Sequence, residues 1–128
     1  MKLDVECVRD VLLELESLPM GAHSIYSLKK SIELHGQDNV IYTVAKLTEA
    51  RYINADVMRM LDGKPSIQQI FDITYNGHEF LNSIRKPDVW DRLKGAAVEC
   101  GTAGLKMLGE IGYDIGKQYL EHKFGLSG

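Results

Sequence analysis

The stretch "YINADVMRMLDGKPSIQQIFDI", residues 52–73, decides the fold. Tyr52 to Met60 is rich in strand formers. Asp62-Gly63 followed by Lys64-Pro65 is a turn signal. Beyond it, Ile67, Gln69, Phe71 and Ile73 alternate with Gln68, Ile70 and Asp72, which is the period of a strand. The stretch predicts a β-hairpin with a polar loop.

Immediately upstream, Gly36 breaks the chain, and Gln37, Asp38 and Asn39 offer N-cap chemistry. Val40, Ile41, Val44 and Leu47 form an apolar stripe. Asn39, Tyr42, Thr43, Lys46 and Glu49 lie off it. The spacing predicts a helix from about Asp38 to Ala50. Further upstream, "SIYSLKKSIELHG" admits a short strand, a short helix, or one followed by the other. Leu3, Cys7, Val8, Val11, Leu12, Leu15 and Leu18 predict an amphipathic first helix over residues 3–18. Its outer face is acidic, and Pro19 and Gly21 stop it. Downstream, Thr74 caps a helix running to about Lys86. Two more helical segments follow Pro87, Asp88 to about Cys100 and Thr102 to about Lys123.

Helix, ordered segment, helix, hairpin is the element order of a winged helix-turn-helix. The fold class is α+β, a winged helix-turn-helix with a two-stranded wing and a C-terminal helical extension. Residues 1–86 form the winged-helix-like domain, and residues 87–128 form the extension packed on it. "LTEARYI" resembles the winged-helix junction L-x-E-A-G-Y-I, with Arg51 where glycine is usual. If residue 51 is left-handed, arginine there costs about 1 kcal/mol relative to glycine.

Three stretches carry a likeness over nearly the whole chain: "MKLDVECVRDVLLELE", "IYTVAKLTEARYI" and "ITYNGHEFLNSIRKPDVWDRLK". In the third, Tyr75, Gly77, His78, Glu79, Phe80, Leu81, Ile84, Arg85, Val89 and Trp90 match a hallmark. It consists of an aromatic, one residue, G-H-E-F-L, an Ile-Arg pair and a downstream V-W. The chain thus resembles the bacterial and phage domain-of-unknown-function family numbered twenty-five thirteen. The resemblance implies a winged-helix-like core with a helical tail, and no established activity comes with it. Thr43 stands where members often have His.

The 128 residues carry a net charge of −3, with 26% charged and 45% hydrophobic residues. These values are ordinary for a globular domain. Acids outnumber bases on both sides of Pro87, which weakens a phosphate-binding reading. Cys7 and Cys100 make neither a disulfide framework nor a zinc knuckle, and both read as buried, reduced thiols. No signal-peptide core and no membrane-length apolar run is present, so a cytoplasmic protein with no membrane contact is expected.

His78-Glu79 opens like a zincin motif, but the position four residues after His78 is Asn82. No metal and no cofactor are expected. His78 reads instead as a brace at the helix–hairpin junction, with Phe80, Leu81 and Ile84 in the core and Glu79 in water. Gly77 points to close approach of another segment, with Trp90 the candidate. No nucleophile–base pair and no phosphate-cradling loop emerges, so the chain reads as non-enzymatic.

Two functions compete, and the first leads. The first is a DNA-binding transcriptional regulator using double-stranded DNA. Asn39, Tyr42, Thr43 and Lys46 would enter the major groove, and Lys64 would touch the backbone. The second is a protein–protein interaction module, a phage accessory or host-factor-binding protein. Its interface would be the acidic first helix (Asp10, Glu14) or the glycine-bearing tail. Gly109, Gly112 and Gly116 share a face there and would also suit a homodimer.

Overall fold

The computed structural model describes residues 1–92. The chain divides into two compact units, Met1–His78 and Glu79–Gly128. The expected Thr102–Lys123 helix, its glycine face, Cys100 and most of the Asp88–Cys100 helix lie outside the described residues.

The first unit opens with helix α1, Val5–Ser17. The Asp4 carboxylate caps it, accepting from the Glu6 amide at 2.9 Å and the Cys7 amide at 3.4 Å. Cys7, Val8, Val11, Leu12 and Leu15 form its buried stripe. The ambiguous stretch resolves into a single 3₁₀ turn, Ile25–Ser27, followed by a short helix α2, Lys29–His35. Just before that turn, His23 makes a bridge, exchanging two backbone hydrogen bonds of 2.8 Å with Ile70. Helix α3, Gln37–Glu49, follows at once, with Gly36 at φ 85° between the two helices.

The hairpin is present. Strand β1, Ile53–Arg59, pairs antiparallel with β2, Pro65–Ile73. The architecture is therefore α+β, with helices around a two-stranded antiparallel sheet.

The expected strict alternation in β2 does not hold. Asn54 faces Asp72 but Ala55 faces Ile70, leaving Phe71 over; Asp56 faces Gln69 but Val57 faces Ile67, leaving Gln68 over. These are two β-bulges, each placing two residues opposite one. Ile67, Ile70 and Ile73 consequently share a face at a spacing of three. Ile70 and Ile73 are buried, whereas Phe71, expected on the face of Ile67 and Ile73 and opposite Ile70, is exposed. The polar-loop expectation also fails, because Met60 and Leu61 stand exposed at the tip.

The core of this unit joins the α1 stripe to Leu28, to Val40, Val44 and Leu47 of α3, and to Ile53, Ile70 and Ile73 of the hairpin. Cys7 lies within it and is fully buried. Burial pushes its thiol up from 9.0 to about 11; a hydrogen bond from Thr43 opposes this, and Asp4 and Asp10 add to it. The unfolded thiol ionises first, so the stabilisation is complete below pH 9 and is lost as pH rises from 9 towards 11. Urea titrations over that range should show wild type losing stability more steeply than Cys7→Ala.

Helix α4, Tyr75–Ile84, crosses the boundary between the units. In the second unit Phe80, Leu81, Ile84, Val89 and Trp90 are buried. Residues 87–92 are helical, with Pro87 in the first helical position, where its missing amide hydrogen costs nothing.

Candidate interaction surface

The surface is organised by the junction between α3 and the hairpin. Helix α3 ends in a Schellman motif. The Tyr52 amide donates to the Leu47 carbonyl at 2.9 Å, and the Arg51 amide donates to the Thr48 carbonyl at 3.0 Å. The motif needs a left-handed residue at position 51, and Arg51 has φ 64°. Arg51→Gly should therefore raise stability by about 1 kcal/mol, read as a higher urea midpoint.

The chain is then clamped to α4. The Thr74 hydroxyl donates to the Arg51 carbonyl at 2.6 Å and accepts from the Gly77 amide at 3.0 Å. The Thr74 amide donates to the Tyr52 carbonyl at 2.9 Å. The segment closest to Gly77 is thus Tyr52, whose carbonyl lies where a Cβ would stand, rather than Trp90. His78 differs from expectation as well. It is exposed, and its side chain has no hydrogen-bond partner among the described residues. The reason is helical phase. Gly77, Phe80, Leu81 and Ile84 follow the i, i+3, i+4, i+7 stripe, and His78 falls outside it.

On α3, Asn39, Tyr42 and Lys46 are half-buried, but Thr43 is fully buried. Its hydroxyl donates to the Cys7 sulfur at 3.3 Å. Thr43 is therefore a core residue and cannot contact a base. Val40, Thr43, Val44 and Leu47 follow the helical stripe, a signal present in the spacing. Lys46 is the single cation of α3. Its Nζ lies 3.1 Å from Glu49 Oε2 and 5.4 Å from the Tyr42 ring centre.

Across from this face stands the hairpin. A cleft of about 420 Å³ separates them, lined by Tyr42, Lys46 and Glu49 of α3 and by Val57, Arg59 and Pro65. The hairpin tip is closed by the Met60 amide donating to the Lys64 carbonyl at 2.9 Å. The Asp62 carboxylate accepts from the Lys64 amide at 2.9 Å. At the tip, Met58 and Met60 are about half exposed and Leu61 is fully exposed. Arg59 and Lys64 flank them, exposed and in no ion pair among the described residues.

The family model described as a hypothetical protein (DUF2513) matches residues 2–103. The chain belongs to this family. No curated protein and no solved structure matches it.

In this DUF2513 chain the acidic face of α1 is largely structural. Helix α2 begins after Leu28, which has no capping side chain. The Glu14 carboxylate caps it from α1, accepting from the Lys30 amide at 3.0 Å, the Ser31 amide at 2.9 Å and the Ser31 hydroxyl at 2.8 Å. Asp10 accepts from His35 Nε2 at 2.8 Å. No local motif announces either contact, since each partner lies on another helix. Among the described residues, no group of three His, Cys, Asp or Glu could hold a metal ion. Nor is any helix there long and apolar enough to cross a membrane.

Proposed function

We propose that the chain is a non-enzymatic, winged-helix-type module that binds a protein through α3 and the hairpin. The element order supports the winged-helix reading. The His23–Ile70 bridge supplies the short extended segment that such folds carry between their first two helices. The observation carrying the function is the tip itself. A fully exposed leucine next to two half-exposed methionines makes an apolar patch at the hairpin tip, and such patches mark protein contacts.

DNA contact is the second reading. It is favoured by the same element order and by the exposed cations Arg59, Lys64, Lys29 and Lys30. Against it, Thr43 is unavailable, Lys46 is occupied by Glu49, and Asp38 opens the helix. A groove-entering helix of this charge gains little from phosphate.

Two measurements separate them. Fluorescence anisotropy on random duplex should show no retention at low salt, for wild type and Lys46→Glu alike. Retention that falls steeply with salt and disappears in Lys46→Glu would replace the protein-binding reading with the DNA one. A photo-crosslinking residue at position 61 should give protein adducts in cells. The same residue at Met20, also fully exposed, should not.

A further inference from the structure

The hairpin tip has a distinctive chemistry. It offers Leu61 and Met60 at its end, two cations (Arg59 and Lys64) and one carboxylate (Asp62). Leu61 is fully exposed and packs against nothing among the described residues.

The first unit also carries a surface of matching chemistry. A groove of about 270 Å³ runs between α1 and α2. Its apolar lining is Leu13 and Leu34, and Leu34 is 70% exposed. Its charged lining is two carboxylates, Asp10 and Glu14, and one cation, Lys30. The two cations and one carboxylate of the tip are thus complementary in charge to the two carboxylates and one cation of the groove. The two most exposed leucines among the described residues, Leu61 and Leu34, lie one on each of these surfaces. The groove walls are also held in place. Hydrogen bonds to α2 and His35 fix Glu14 and Asp10, so little side-chain freedom is lost when they are covered.

We propose that the hairpin tip of one copy seats in the α1–α2 groove of a second copy. This rests on reading the tip as a protein-binding element and names its partner as the chain itself. The contact is head-to-tail, joining two different patches, so each added copy leaves one tip and one groove open until a ring closes.

The test is complementation between two surface variants of the full chain. Sedimentation of wild type across a wide dilution series should show average mass rising with concentration. Leu61→Asp removes the tip and Leu34→Asp removes the groove, and each alone should weaken self-association by about thirtyfold or more. Mixed together, they should form a one-to-one complex that grows no further, because each retains the half the other lacks. Both positions are exposed; if Leu34→Asp unfolds, Leu34→Ser serves for the groove. A wild type that stays monomeric at high concentration overturns the proposal. So does association that survives both variants, or a mixture that forms no complex. Crosslinks from position 61 to other proteins, without self-adducts, would overturn this inference and leave the protein-binding reading standing. Absence of any crosslink would remove both.

Discussion

Gly77→Ala should destabilise the protein by about 3 kcal/mol, seen as a large drop in urea midpoint. The direction is opposite to the ordinary one. Within an exposed helix, alanine is favoured over glycine by about 1 kcal/mol. Here an added Cβ would overlap the Tyr52 carbonyl oxygen and lie 2.6 Å from Ile73 Cγ2. The oxygen cannot swing away cheaply, because it accepts the Thr74 amide. Thr74 in turn holds the Arg51 carbonyl and the Gly77 amide, so relief at one point breaks the clamp at another. Gly63→Ala provides the contrast. That position has φ 83° but nothing within 4 Å, so only conformational strain of about 1 kcal/mol is expected. A Gly77→Ala protein as stable as wild type would refute the close approach.

Glu14→Ala is expected to cost about 2 kcal/mol. The carboxylate satisfies two amides at the start of α2 and the Ser31 hydroxyl, and Ser31 is fully buried. Removing it strands that hydroxyl and leaves the helix start uncapped. Glu14→Gln keeps one acceptor oxygen and should lose about half as much. The sharper measurement is a double-mutant cycle. If Ser31 and Glu14 act through their mutual bond, Glu14→Ala should cost clearly less in a Ser31→Ala background. Strict additivity would sink the assignment.

The legible parts of the fold were those written locally. Val40, Val44 and Leu47 mark α3 within a residue or two, and Asp62-Gly63 marks the hairpin turn. The likeness carried by Gly77, His78, Glu79, Phe80 and Leu81 led to the family that the family model confirms. What could not be read depended on distant partners. The start of α2 needs a carboxylate from α1. The phase of β2 changes at two bulges that depend on its pairing with β1. Thr43 is a separate lesson. Its hydroxyl invites a surface placement, yet its spacing puts it in the core, where the Cys7 sulfur accepts its hydrogen bond. The exposed His78 teaches the converse: a prominent residue within a family motif need not lie on the buried face.

The two surplus residues in β2 also bear on how this chain avoids misassembly. A bulged ribbon twists more tightly than a regular one, and the bulged strand β2 bends, so the hairpin does not present a flat edge. A fibril-forming strand from another molecule needs a flat, evenly spaced row of amides to lie against. Gln68 and Phe71 deny it that template, although the neighbouring Val57-Met58-Arg59-Met60-Leu61 run is apolar enough to attract one.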